Sequence, residues 1–183
     1  MFNMLASHQR WLFGFLINVG LIYSLPTIAA DNMRMHGALV YEACDIQPGD
    51  EDQTIEMGLR SDVFFYHNTR TPSRNIILNL INCDTSIGNM VTITFMGNES
   101  NELPGYLAPD AGSAAAGIAL GIETPAGDLL PVNDATGITY PIVNGHNVIN
   151  LKGFIQGEPS ALANHNIKLG PYTAVTTFNL DYN

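Results

Sequence analysis

Tyr172-Thr173-Ala174-Val175-Thr176-Thr177-Phe178-Asn179-Leu180-Asp181-Tyr182 is the stretch that decides the fold. Tyr172, Ala174, Thr176, Phe178, Leu180 and Tyr182 fall on one side of an extended chain, and Thr173, Val175, Thr177, Asn179 and Asp181 fall on the other. Side chains of a β-strand point alternately to its two faces, so the alternation predicts a half-buried strand. Only Asn183 follows it. Unless an earlier segment covers it, the strand presents an unpaired edge and part of an uncovered core. Natural proteins avoid such edges, so some other strand is expected to supply the pairing.

Upstream, short apolar stretches recur between Gly, Pro, Asn and Asp. Candidate strands are Met33–Ala43, Thr54–Leu59, Asn75–Ile81, Met90–Met96, Gly117–Glu123 and His146–Ile155. In one of them Val91, Ile93 and Phe95 share a face opposite Thr92 and Thr94. Period-two patterning with frequent turn signals predicts an all-β sandwich. No long stretch has a helix period; Ala111–Ala116 reads equally as a helical turn or a loop.

The first thirty residues read as a removable signal rather than as part of the fold. His8 and Arg10 precede an apolar run from Trp11 to Tyr23, and Leu25-Pro26-Thr27-Ile28-Ala29-Ala30 supplies a small-residue cleavage site. Asn18 and Pro26 interrupt the run, which is short for a membrane span; a retained anchor is the alternative. Residues 31–183 then make one domain of ordinary size. Losing the single positive charge of Arg10 takes the net charge from −10 to −11. So acidic a chain is not expected to bind nucleic acid or anionic lipid.

The only two cysteines are Cys44 and Cys83. In an oxidising compartment they read as one disulfide. Closing a loop of roughly 40 residues stabilises the fold by about 4 kcal/mol on the chain-entropy model.

The segment before Cys44 also alternates. Met33, Met35, Gly37, Leu39 and Tyr41 share one face, and Asn32, Arg34, His36 and Ala38 share the other. A glycine among large side chains implies a shallow spot or a close backbone approach. Periodicity alone leaves two readings even: a strand given to another molecule, or an ordinary first strand paired within its own domain.

Asp31-Asn32-Met33-Arg34-Met35-His36-Gly37-Ala38-Leu39-Val40-Tyr41-Glu42-Ala43-Cys44 resembles the start of chaperone–usher fimbrial subunits, particularly the minor tip pilins of P-type pili. There a short donor segment with a central glycine runs into the first cysteine. The far end is similar too: Gly170-Pro171-Tyr172 precedes the last strand, Gly170 is the fourteenth residue counted back from Asn183, and Tyr182 is penultimate. The cysteine spacing fits, and Gly117–Pro131 resembles the family's central strand-turn segment.

The resemblance implies an incomplete immunoglobulin-like β-sandwich, a pilin fold lacking its seventh strand. It implies residues 1–30 as signal, 31–42 as donor extension and 43–183 as the pilin domain. It implies a periplasmic chaperone that fills the open groove with its own strand and clamps the C-terminal carboxylate, here on Asn183. At the outer-membrane usher, the next subunit's extension replaces that strand, a case of β-augmentation. Met33, Met35, Gly37 and Leu39 are then the donated residues. Gly170, Tyr172, Phe178, Leu180, Tyr182 and Asn183 belong to the receiving strand and the chaperone site. The product is an extracellular pilus, reached through the periplasm. Two flexible methionines stand where the family favours larger or branched donors, which loosens groove fit. The donor segment is short, which favours a minor tip or adaptor subunit involved in cell adhesion over a shaft subunit.

Other chemistry has little support. His36, His67, His146 and His165 form no closely spaced pair, so no metal site is expected. Gly49-Asp50-Glu51-Asp52 lacks the alternating calcium-ligand pattern and reads as an acidic turn. No Gly-x-Ser-x-Gly nucleophile motif occurs, no cofactor is implied, and an enzyme is not expected. Asn98-Glu99-Ser100 matches a glycosylation triplet that a bacterial pilin does not ordinarily use. The alternative function is a single-domain adhesin meeting an unknown host receptor through Asn68–Arg74 or Asn98–Tyr106.

Overall fold

The computed structural model describes residues 42–183. The expected signal, residues 1–30, and the expected donor residues Met33, Met35, Gly37 and Leu39 lie outside the described residues, as does most of the candidate strand Met33–Ala43.

Among the described residues nine elements follow one another: β1 Asp45–Ile46, α1 Asp62–Asn68, β2 Arg74–Cys83, β3 Met90–Gly97, β4 Ile118–Glu123, β5 Ile138–Pro141, β6 Gly145–Gly157, α2 Pro159–Asn164 and β7 Thr176–Tyr182. The strands form two antiparallel sheets, one ordered β1-β2-β6-β4 and the other β5-β3-β7. The expected all-β sandwich is therefore what the chain builds.

Alternation explains which side chains meet between the sheets. Leu78 and Leu80 of β2, Val91 and Ile93 of β3, and Ile149 and Leu151 of β6 are buried in one cluster. Each is two residues from its partner, so each pair points inward while the intervening residues face solvent. Cys44 and Cys83 join this cluster and are linked by a disulfide.

A second, smaller cluster closes one end of the sandwich. It gathers Met57, Phe65, Ile155, Ala161 and Ile167, with Ile55 and Tyr172 packed against it. Helix α1 supplies Phe65 from seven residues; the Phe64 N–H donates to the Ser61 hydroxyl oxygen at 3.3 Å and Asp62 lies in the first turn. Capping and a first-turn acid favour the start, but so short a helix persists through packing rather than propensity.

Several sequence boundaries need correction. Thr54–Leu59 is no strand: Ile55 and Met57 turn inward as the alternation requires, yet no ladder flanks the segment. Strand β7 begins only at Thr176, because the preceding residues bond to a loop instead of β3. Thr173 O accepts from Asp110 N–H at 2.8 Å, and Pro171 O accepts from Ala114 N–H at 2.8 Å. Ala111–Ala116 takes the loop alternative. Strands β1 and β5 and both helices were not anticipated.

At the end of β4, the buried Glu123 carboxylate accepts from the Ser73 hydroxyl at 2.5 Å and from Arg70 Nη2 at 3.0 Å, forming an ion pair. The Arg70 guanidinium also stacks 3.6 Å from the centroid of the Phe154 ring. Burial raises the Glu123 pKa, but the Ser73 and Arg70 hydrogen bonds, with the charges of Arg70 and Lys152, outweigh it and leave the pKa lowered. A carboxylate whose folded pKa is depressed stabilises the fold above its unfolded value, near 4.3. That contribution is lost as pH falls through the folded value. Glu123→Gln is expected to lower stability at pH 7 by about 1–3 kcal/mol and to flatten the acid-side loss. Urea midpoints between pH 7 and 3 check this; an unchanged acid slope places the sensitivity elsewhere.

Candidate binding groove

Among the described residues β7 pairs only with β3, so its second edge is open. Asn183 and Met90 exchange both main-chain hydrogen bonds, at 3.0 and 3.1 Å. Hydrogen-bonded pairs in an antiparallel ladder recur every two residues. With Thr92 opposite Asp181, Thr94 opposite Asn179 and Met96 opposite Thr177, those odd-numbered residues direct their backbone groups to β3. The N–H and C=O groups of Thr176, Phe178, Leu180 and Tyr182 therefore face the open edge.

The same four residues turn their side chains inward, yet none is fully buried. Burial alternates strictly between intermediate and exposed from Tyr172 to Asn183. Central β3, on the same sheet, buries Val91 and Ile93 almost completely, at 0% and 1% exposure. The difference marks where a covering layer stops. Beside β7 lies a groove of about 1390 Å³, floored by residues such as Ile76, Leu78, Phe95, Leu120 and Leu151. Its opposite wall is Ile46 and the unpaired strap Thr54–Arg60. The groove has the length of a strand, an apolar floor, and backbone donors and acceptors along one wall. These are the requirements for receiving an extended peptide.

Its two ends differ. At one, the Tyr182 hydroxyl donates to the Cys44 carbonyl at 3.4 Å, joining the end of β7 to the disulfide. Burial, followed by the charges of Glu42 and Asp45, pushes the Tyr182 pKa up to about 12. At the other end Tyr172 packs beside Ile55 and Met57. Its pKa is raised, chiefly by burial. Gly170 is required where the chain turns into this segment. A Cβ there would lie 2.6 Å from the Ala114 Cβ and 3.0 Å from the Ala114 carbonyl carbon.

The structure thus places Tyr172 and Phe178 on one groove wall, and Leu180 and Tyr182 continue β7 beyond the stretch that lines it. Gly170 shapes the approach to it, and the backbone of Asn183 is held by β3. Sequence reading missed the facing wall. Ile55 and Met57 carried the correct alternation, but a strap without a ladder partner reads as a strand when viewed alone.

Several other candidates make contacts within the fold. Asp50 of the acidic turn accepts from the Asn79 main chain at 2.7 Å and side chain at 2.8 Å, anchoring the turn to β2. The buried Ser100 hydroxyl donates to Glu158 at 3.0 Å, which fixes the 98–106 loop internally. Arg70 does the same for 68–74 through Glu123. His165 stacks on Tyr66 with centroids 4.4 Å apart. Among the described residues no group of three His, Cys, Asp or Glu is placed to hold a metal ion. No helix among them is long and apolar enough to cross a membrane.

A family model described as Fimbrial protein matches residues 33–183. The chain is 29% identical to the uncharacterized fimbrial-like protein YfcP of Escherichia coli (strain K12), over 92% of this chain and 94% of that protein. It is 28% identical to the fimbrial adapter PapK of Escherichia coli, over 84% of this chain and 88% of the relative. Among solved structures, the P pilus rod subunit PapA superposes with a TM-score of 0.67 at 22% identity, covering 78% of this chain and all of that one. At that identity the superposition speaks to the fold alone.

Proposed function

The chain belongs to the fimbrial protein family, as a structural subunit of the chaperone–usher type, and from that premise we propose that it polymerises by donor-strand exchange. Residues 1–30 direct export and are removed. Residues 31–42 are lent to a neighbouring subunit through Met33, Met35, Gly37 and Leu39. Residues 43–183 form the receiving domain. Before assembly a periplasmic chaperone strand occupies the groove beside β7, and the outer-membrane usher is where it is exchanged. The short donor segment and the likeness to a fimbrial adapter favour a minor tip or adaptor position in the extracellular fibre.

One observation carries this reading: the outward backbone groups of Thr176, Phe178, Leu180 and Tyr182 lie on the open edge of β7, which borders an apolar groove from Thr176 to Phe178, and their side chains are only half covered. A single added strand both pairs the edge and covers the row.

Gly37 tests the donor assignment. Gly37→Trp leaves the receiving domain unaltered, so chaperone co-purification is expected to persist. Incorporation into fibres is expected to fall at least about tenfold, the ratio set by 1.4 kcal/mol of lost docking energy. Undiminished incorporation contradicts the assignment.

A further inference from the structure

Arg74 falls on the row of β2 that turns inward, two residues before Ile76 and four before Leu78. Arg74 itself is exposed at the start of the strand, where its charge stays in contact with water. The strap brings a second guanidinium to the same place: a Cβ at Gly58 would lie 3.4 Å from Arg74 Nη2 and 3.9 Å from Arg60 Nη1. Arg60 is held there by donating to the Leu59 carbonyl at 2.7 Å and by stacking over the Phe64 ring at 5.5 Å. The single ion pair among the described residues is Arg70–Glu123, so neither Arg60 nor Arg74 has a carboxylate at ion-pair distance. The chain has 17 acidic and 7 basic side chains, yet among the described residues these two cations converge with no carboxylate at ion-pair distance. Paired guanidinium forks suit a carboxylate. Gly58, Arg60 and Lys168 all line the groove, at the end where Tyr172 packs on the strap.

We infer that Arg60 and Arg74 form a carboxylate-recognition site that takes Glu42 of a second copy of this chain and so fixes the direction of the donated strand. The inference rests on the donor-strand reading and deepens it. An added strand runs antiparallel or parallel to β7, and antiparallel pairing is slightly the more stable. Gly37, which has no side chain, belongs opposite the large half-buried Phe178. Counting antiparallel from that pair places Met33 opposite Tyr182, Leu39 opposite Thr176 and Glu42 opposite Thr173, next to Tyr172 at the arginine end. Counting parallel from it places Asp31 there instead. A chain filling its own groove is confined to the parallel direction, because its Glu42 leads into Cys44 at the Tyr182 end. The identity of the carboxylate at the arginines therefore separates a strand given by another copy from one folded back on its own domain.

The test titrates the full exported chain with a synthetic peptide of residues 31–43. Glu42→Gln and Asp31→Asn are made in the peptide, and Arg60→Gln with Arg74→Gln in the chain. Glu42→Gln is expected to weaken binding by about fivefold. The arginine substitutions should then cost the Glu42→Gln peptide nothing further, and 1 M salt should erase the difference. Asp31→Asn should have no effect. The peptide changes leave the chain intact, so a misfolded arginine variant does not obscure the result. Equal binding of the parent and Glu42→Gln peptides overturns the inference. Coupling of the arginines to Asp31 in place of Glu42 overturns it in favour of the parallel, self-inserted strand. Failure of the parent peptide to bind at all is a different result, one that removes the donor-strand reading itself.

Discussion

Fusing a second copy of residues 31–43 beyond Asn183, through a short flexible turn, is expected to raise the thermal midpoint of the chain by about 10 °C. The turn lets the added segment run back along the open edge of β7. Its backbone then meets the free N–H and C=O groups of Thr176, Phe178, Leu180 and Tyr182. Its Met33, Met35 and Leu39 side chains enter the groove, at about 1.5–3 kcal/mol for each one fully buried. Ordering a segment about ten residues long opposes this strongly. A net gain of about 3 kcal/mol corresponds to the stated shift, at about 2–4 °C per kcal/mol for a chain of this size.

Leu180→Asp supplies the control. Leu180 is only partly buried while the groove is open, so the carboxylate in the unfused chain keeps water and costs little. Once the added strand covers it, the charge has no partner and its burial is expensive. The substitution is therefore expected to erase most of the gain from fusion while moving the unfused chain far less. Calorimetry on the four proteins measures both effects. An unfused chain already as stable as the fusion means that the sandwich is complete without an added strand. A fusion that keeps its gain in Leu180→Asp means that the added segment stabilises from some other surface.

What could be read beforehand depended on whether the physics was local. The β7 pattern was legible because it needs only alternation, and all its inward positions, from Tyr172 to Tyr182, turn inward in the fold. Its starting residue was not. Thr173 and Pro171 bond to the 110–115 loop, and no property of those residues announces a partner some sixty positions away. The strap shows the same limit from the other side. Ile55 and Met57 do point inward, but strand identity requires a neighbour, and β1 stops at Ile46. Helix α1 reads Asp-Val-Phe-Phe-Tyr-His-Asn, a β-branched and aromatic string with too few residues to show a period. Burial of Phe65 makes it a helix. The receiving wall was thus accessible to sequence reasoning, whereas the facing wall and its arginines came from long-range packing.

Replacing both cysteines, as Cys44→Ala with Cys83→Ala, is expected to cost about 4 kcal/mol, the chain-entropy value for a bridge spanning 39 residues. That is a large fraction of the 5–15 kcal/mol that separates folded from unfolded domains. The architecture makes this bridge harder to spare than most. Strand β1 holds the sheet through only two residue pairs, Asp45 with Ile81 and Ile46 with Leu80. Around them the Asp84 N–H donates to the Ala43 carbonyl at 2.7 Å and the Gln47 N–H to the Asn79 carbonyl at 2.9 Å. Ala43 and Cys44 are buried at 1% and 2% exposure, so the disulfide fixes a segment that contributes to the core but little to the ladder. Releasing it frees Ile46, part of one groove wall, and the Cys44 carbonyl that accepts from Tyr182. Stability and receiving capacity are therefore expected to fall together. Alanine at both positions avoids leaving a buried polar group, so the measured loss reports the cross-link and not an unsatisfied hydroxyl. Urea midpoints of the oxidised parent, the reduced parent and the double variant decide the matter. Near-equal midpoints for all three mean that the bridge is dispensable and that β1 is held by its ladder alone. A drop shared by the reduced parent and the variant, with loss of chaperone capture in both, identifies the disulfide as what keeps the groove wall in place.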